Sequence, residues 1–159
     1  MQKTNGFFFS LAMSLMLAGA SDSAISGESQ PELFEDSELT IVTAENHHYF
    51  NIEVARSGRA LARGLMERRS LANDAGMLFD FGTSRQINMW MKNTYIPLDM
   101  LFIERTGKIV GIATNTVPFS TTVIPSPGPV PAVLELNAGT VSRLRINVGD
   151  QVLHGIFSP

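Results

Sequence analysis

The stretch from Asn88 to Asp99 concentrates polar and aromatic side chains in a way that a protein core does not require. It contains the single tryptophan of the chain. The groups in it that could bind a ligand are Trp90, Lys92, Asn93, Thr94 and Asp99. An aromatic ring beside hydrogen-bonding groups suits a small polar ligand or a sugar. We therefore predict a binding site here, with Trp90 and Lys92 in contact with the ligand.

The order of residues in this stretch predicts which side chains face the site. If residues 86–92 form a strand, alternate side chains point to opposite faces. One face would carry Ile87, Met89 and Met91, and the other would carry Gln86, Asn88, Trp90 and Lys92. The first face should pack in the core and the second should border a cleft. The alternative is an indole half-buried under a loop, with its N–H satisfied locally.

Two carboxylates, Asp99 and Glu135, stand within apolar runs of the sequence. Buried carboxylates are uncommon because they are costly unless paired. Such a pair could act as the acid and base of a hydrolase. In the alternative interpretation, each accepts hydrogen bonds or pairs with an arginine such as Arg68, which could also hold a ligand anion. No catalytic residue is assigned, and an enzyme is the less favoured interpretation.

Composition excludes several classes of protein. The chain has no cysteine, so it has no disulfide, thiolate metal site or cysteine nucleophile. Its methionines could suit Cu(I), but they lie in apolar patterns in which methionine fills gaps. We expect no metal and no cofactor. The net charge of −3, from 12 basic and 15 acidic residues, argues against a nucleic-acid partner.

The N-terminus predicts export. Lys3 precedes the apolar run Phe7–Ala20, which ends in the small residues Ala18-Gly19-Ala20, a pattern typical of a signal peptide. The run is short for a membrane span, which needs ~20 residues. We expect cleavage after Ala20, no stable membrane span afterwards, and a periplasmic or extracellular protein. Residues 21–38 would form a flexible acidic linker, and residues 39–159 a single domain.

Apolar periodicity within this domain predicts about seven or eight strands and two short helices. The predicted strands are Leu39–Ala44, Tyr49–Ala55, Gly76–Phe81, Gln86–Lys92, Leu98–Glu104, Lys108–Thr114, Val130–Leu136 and Gln151–Phe157. The predicted helices are Gly58–Glu67, capped by Ser57, and a segment from Asn137 to Arg145. Five prolines make Pro118–Pro131 a long loop. The pattern predicts an α+β fold with a mostly antiparallel, curled β-sheet or small barrel.

Five short motifs in order resemble the DUF192 family, also called UPF0127, over about residues 39–155. They are Gly64-Leu65-Met66, Gly76–Phe79, Trp90–Thr94 with Ile96–Asp99, Leu134–Gly139 and Gly149-Asp150. Members are small bacterial and archaeal domains, often exported or membrane-tethered. The resemblance implies an α+β, barrel-like domain and supplies no established reaction, cofactor or partner. Residues 145–152 are also similar to the Gly-Asp turn of cradle-loop barrels.

Three functional hypotheses follow from the sequence. The first is a non-catalytic exported domain that binds a small polar or carbohydrate-like ligand. Its site residues would be Trp90, Lys92, Asn93, Thr94, Asp99, Glu135 and Arg68. The second is a hydrolase of an envelope component that uses Asp99 and Glu135. The third is a protein-interaction module that uses the loop Pro118–Pro131.

Overall fold

The computed structural model describes residues 33–157, which form nine strands and two helices. The strands are β1 Glu35–Val42, β2 His47–Ala55, β3 Ala75–Arg85, β4 Asn88–Met89, β5 Leu98–Ile103, β6 Ile109–Ala113, β7 Ile124–Pro125, β8 Val130–Asn137 and β9 Gln151–Leu153. The helices are α1 Gly58–Arg63 and α2 Thr140–Leu144. Neither helix is long and apolar enough to cross a membrane. The predicted signal peptide and residues 21–32 of the predicted linker lie outside the described residues.

Seven strands form one curled sheet in the order β6-β5-β8-β3-β2-β1-β9. All neighbours are antiparallel except β2 and β3, which are parallel and therefore need a crossover, in which α1 lies. The two outer strands of this order meet, because Lys108 bridges Gln151 and the Val152 N–H donates to the Gly107 carbonyl at 2.8 Å. The predicted α+β fold with a barrel-like sheet is confirmed.

The barrel has a hydrophobic core on each face of its central strands. In β3, Leu78 faces the interior, while Met77 and Phe79 face outward. The interior core includes Leu39, Ile41, Phe50, Ile52, Val54, Leu78, Leu101, Ile103, Leu134 and Leu136. The outer core includes Ala60, Leu65, Met77, Phe79, Ile87, Met89, Met91, Met100, Phe102 and Val133. Residues of α1 and of the segment 86–96 therefore cover the outer face of the sheet.

Helix α1 starts as predicted and ends earlier than predicted. The Ser57 hydroxyl accepts a hydrogen bond from the Ala60 N–H at 3.1 Å, which caps the first turn. The helix ends at Arg63 because Gly64 has φ of +47°. A β-carbon on Gly64 would lie 2.9 Å from the ring of Phe79, so glycine also permits close packing on the sheet. This termination turns residues 64–67 toward the stretch that contains Trp90.

Several element boundaries differ from the prediction, and the last strand, β9, ends at Leu153 rather than Phe157. Strand β1 begins at Glu35 rather than Leu39, and Glu35 pairs with Val54. Strand β3 extends to Arg85 rather than ending at Phe81, with an irregular register between Asp80 and Arg85. The predicted strand Gln86–Lys92 is wrong in extent, since only Asn88–Met89 is paired.

The partner of that short strand lies in the segment predicted to be a loop. Strand β4 pairs with β7, so that Met89 lies opposite Ile124 and Asn88 opposite Pro125. The remainder of Pro118–Pro131 before β8 is irregular, as its prolines predict. The two-stranded sheet holds the Trp90 stretch against the outer core.

Candidate functional site

The stretch around Trp90 alternates in burial as predicted, although little of it is a strand. Ile87, Met89 and Met91 are buried, whereas Trp90 is 49% exposed and Lys92 is exposed. Met91 packs in the outer core, where its sulfur lies 3.1 Å from the Thr116 hydroxyl, which is also within 2.9 Å of the Leu98 carbonyl. The methionines are therefore packing residues, and the indole is available to a ligand.

A small pocket, which we call the Trp90 pocket, lies beside the indole and has a volume of about 100 Å³. It lies between the end of α1, the outer face of the sheet and the residues 88–94. The residues that line it are Leu61, Ala62, Arg63, Gly64, Leu65, Met66, Phe79, Phe81, Asn88, Met89, Trp90, Lys92, Thr94 and Glu135. Four predicted site residues, Trp90, Lys92, Thr94 and Glu135, are thus brought together.

Glu135 is the buried polar group of this pocket. It lies in β8 opposite Met77 on one side and Met100 on the other, and it is 4% exposed. Burial raises the pKa of its carboxyl from the ordinary value of 4.5 to about 8. At neutral pH the group is therefore mostly protonated, and it can both donate and accept a hydrogen bond.

The two cations that line the pocket, Lys92 and Arg63, differ in whether a carboxylate neutralises them. The Lys92 ammonium lies 5.3 Å from the centre of the Trp90 ring, in a cation–π arrangement. Arg63 is bound to Glu67, with 2.9 Å between its Nη2 and the carboxylate oxygen. Lys92 is therefore the cation of the pocket that has no carboxylate partner among the described residues.

Three of the five non-glycine residues with positive φ in the described part of the chain lie next to the pocket. Glu67, Asn93 and Phe119 all have positive φ, near 60°, which is uncommon for residues other than glycine. They are joined to the Trp90 stretch by hydrogen bonds, because the Glu67 N–H donates to the Asn93 carbonyl and the Phe119 N–H to the Thr94 carbonyl. Such strain costs ~1–3 kcal/mol for each residue and is typical of functional sites.

Asp99 is fully buried, but it serves the fold rather than the Trp90 pocket. Its two oxygens accept hydrogen bonds from the Asn115 and Val141 N–H groups, each at 2.9 Å. The Val141 N–H belongs to the first turn of α2, so the carboxylate caps that helix. Asp99 lies opposite Leu136, one position away from Glu135, and the two carboxylates therefore face opposite sides of the sheet. They do not form an acid–base pair across a cleft.

Arg68 is also separate from the Trp90 pocket. Its guanidinium binds both carboxylate oxygens of Glu53, one of them at 2.8 Å, and lies 5.6 Å from the centre of the Phe34 ring. It borders an open groove of about 660 Å³ on the other side of residues 64–72, with its charge already neutralised. Asn93 is exposed and does not line the pocket, although its carbonyl holds Glu67.

The structure adds residues to the predicted site. Asn88 lines the pocket, and the alternation of the sequence placed it on the same face as Trp90. Arg63, Phe79 and Phe81 line it as well; Phe79 ends the motif Gly76–Phe79, but no sequence pattern assigned any of the three to the site. Their proximity to Trp90 depends on how α1 crosses the sheet.

The model of the DUF192 family, described as "Uncharacterized ACR", matches residues 40–154. The chain belongs to the DUF192 family. This confirms the resemblance found in the sequence motifs. No curated protein matches the chain significantly.

Two solved structures are similar to this DUF192 domain. One, from Sinorhizobium meliloti, is provisionally described as a transcription regulator. It is 45% identical, with a TM-score of 0.78, over 80% of this chain and 100% of that chain. The other, a protein of unknown function from Novosphingobium aromaticivorans, is 38% identical, with a TM-score of 0.73, over 75% of this chain and 85% of that chain.

We predict that Asp99→Asn destabilises this DUF192 domain without affecting binding in the Trp90 pocket. The amide has a single acceptor oxygen, so either the part-buried Asn115 N–H or the buried Val141 N–H loses its partner, at a cost of about 1–3 kcal/mol. Chemical denaturation would measure the loss. Asp74→Asn is the control, because Asp74 is exposed and bonds only an exposed amide. A variant as stable as the wild type that no longer binds ligand would contradict this assignment.

We also predict that Glu135→Gln removes a pH dependence of stability. Between pH 4.5 and about 8 the unfolded chain loses the Glu135 proton while the folded chain keeps it, so stability falls as the pH rises. The cost is roughly 3 kcal/mol at pH 7. Unfolding measured from pH 4 to 9 should show a flatter profile for Glu135→Gln than for wild type or for the exposed control Glu38→Gln. Identical profiles in all three proteins would exclude the buried acid as the cause.

Proposed function

We propose that this protein is an exported, non-catalytic domain that binds a small polar or carbohydrate-like ligand in the Trp90 pocket. One observation carries the proposal. Glu135 is buried with no cation partner among the described residues, its burial raises the pKa of its carboxyl to about 8 at a cost in stability at neutral pH, and it faces a pocket beside an exposed indole and an ammonium. A carboxyl retained at such a cost, in a concave site, is typical of functional groups.

The size of the pocket limits how a ligand fits. A volume of about 100 Å³ equals that of about three water molecules, at ~30 Å³ each. It admits one polar group rather than a whole sugar ring. The remainder of the ligand would lie on the exposed indole, where apolar ring faces can stack. Glu135 would then bind the inserted group, while Asn88 and Lys92 would bind it from the entrance.

Binding is a better account than hydrolysis because the predicted catalytic pair is divided. Asp99 faces the interior of the barrel, and both of its oxygens already accept backbone hydrogen bonds. Glu135 alone could transfer a proton, but a glycoside hydrolase of the usual kind needs a second carboxyl across the bond that is cleaved. We therefore give Glu135 a binding role.

We further propose that the protein is exported, with residues 1–20 acting as a cleaved signal peptide. This rests on Lys3, the apolar run that follows it and Ala18-Gly19-Ala20. Expression of the whole chain in a Gram-negative host should give a periplasmic protein whose intact mass corresponds to residues 21–159. A cytoplasmic protein that retains Met1 would contradict export.

We propose no nucleic-acid partner for this protein, although a relative is provisionally described as a transcription regulator. The chain has a net charge of −3, and binding to phosphates depends on clustered basic residues. Arg63 and Arg68 are both engaged with glutamates. Neither guanidinium is therefore free to bind a nucleic-acid backbone.

A thermal-shift screen of the purified protein tests the proposal, with neutral sugars, polyols, small organic acids and envelope sugar fragments as compounds. We expect at least one class to raise the melting temperature. Trp90→Ala should weaken its binding ~10-fold, since a stacked aromatic contributes ~1–3 kcal/mol. Tyr49→Ala is the matched control, because Tyr49 is 73% exposed and does not line the pocket.

The same screen distinguishes the alternative of a protein-interaction module. That function is favoured by exposed apolar side chains at Val117, Phe119 and Val123, in and beside the loop Pro118–Pro131. If no compound stabilises the protein, or if Trp90→Ala has no effect on binding, the small-ligand proposal fails and this loop becomes the candidate site.

A further inference from the structure

The charges around the Trp90 pocket favour an anionic ligand over a cationic one. Lys92 has no carboxylate partner among residues 33–157, whereas Arg63 is neutralised by Glu67. Arg63 also stands in the last turn of α1, where a cation offsets the negative end of the helix. Of the two cations that line the pocket, the Lys92 ammonium is therefore the one without a carboxylate partner among the described residues.

The buried carboxyl does not cancel that charge at neutral pH. Glu135 lies at the bottom of the pocket between two methionines, Met77 and Met100, and no cation of the described residues pairs with it. An isolated carboxylate in such surroundings takes up a proton rather than remain charged. The pocket then offers an O–H donor from below and an ammonium from the entrance.

The aromatic rings that line the pocket could by themselves bind a cationic ligand, but cationic side chains of this chain already lie over two of these rings. Lys92 lies over Trp90, and the Arg85 guanidinium lies 5.0 Å from the centre of the Phe81 ring. A cationic ligand would compete with both and be repelled by them. An anion meets one ammonium and one acid O–H, a donor set that matches a singly charged carboxylate better than a phosphate, which needs several donors.

We propose that the Trp90 pocket takes the carboxylate group of a small organic acid or sugar acid, paired with Lys92 and hydrogen-bonded by Glu135. This inference rests on the proposed function and narrows its ligand to acids. A carboxylate group is small enough for a volume of about 100 Å³. The carbon skeleton of the acid lies outside, against the exposed indole of Trp90.

Titrations followed by Trp90 fluorescence test this at constant ionic strength, with galacturonate, galactose and acetate as the probes. Galacturonate should bind ~10-fold tighter than galactose, since the two differ in the group that would meet Lys92. Acetate carries the carboxylate without the ring. Acetate binding as tight as galacturonate binding identifies a small free acid as the ligand type, and weaker acetate binding identifies a sugar acid.

Two variants separate the roles of the charged groups. Lys92→Met should weaken galacturonate binding ~10-fold and leave galactose binding unchanged. Lys108→Met is the matched control, because Lys108 is an exposed lysine in the β5–β6 turn and does not line the pocket. Glu135→Gln keeps an N–H donor, so it should retain binding at pH 7.

The pH profile supplies a readout that a merely structural role would not give. Above pH about 8 the wild type should lose galacturonate affinity by ~10-fold for each pH unit, because an ionised Glu135 repels the anion and no longer donates. The profile of Glu135→Gln should be flat to pH 9. The other charged groups at the pocket are Lys92, the Arg63–Glu67 pair and Arg85 over the Phe81 ring, and they are the same in both proteins.

Three results would overturn the inference. Equal affinity for galactose and galacturonate, unaffected by Lys92→Met, would leave a neutral-sugar site and preserve the proposed function. Binding of methylammonium or guanidinium with release of a proton would reverse the sign of the ligand. Binding of none of these probes, together with no response in the wider compound screen, would remove the carboxylate site and the proposed function together.

Discussion

The burial of strands β3, β5 and β8 on both faces is the constraint on which the structure depends. All six residues of β5 are buried, and alternate residues belong to the interior and to the outer core. Any polar side chain on these strands must therefore face one core or the other. Asp99 faces the interior and becomes a helix cap, whereas Glu135 faces outward and becomes the acid of a pocket. A shift of one residue along the ladder separates the two roles.

Hydrogen bonds offset the free-energy cost of burying the carboxylate of Asp99, whereas nothing comparable offsets it for Glu135 among the described residues. Asp99 has a backbone donor for each oxygen, so its burial supports the attachment of α2 to β5. Glu135 is raised in pKa by burial alone, which means that the fold tolerates it rather than gains from it. Strained backbone at Glu67, Asn93 and Phe119 adds a second cost beside the same pocket. Uncompensated costs that coincide in space are a physical argument for function.

Much of the fold followed from local patterns, and the exceptions have a common cause. The β5–β6 hairpin, the cap at Ser57 and the exposed indole of Trp90 depend on residues near in sequence, and all three were predicted. The extent of β4 was not predicted, because β4 pairs with β7, in which the partner of Met89 is Ile124, 35 residues further along the chain. Helix α1 ends earlier than predicted, before Gly64, and the contact of Gly64 with the Phe79 ring depends on the packed structure.

The sequence by itself determined the family, the class of fold and the side of the stretch 86–92 that faces outward. It could do so because period-two burial and short motifs are properties of neighbouring residues. Only the tertiary structure decided which polar residues act together. Glu135 lies beside Trp90 and Lys92 in the pocket, whereas Asp99 caps α2 and Arg68 pairs with Glu53 outside it. The reason is that the register of β5 on β8 and the crossing of α1 over the sheet are set by packing between distant segments, which no local pattern encodes.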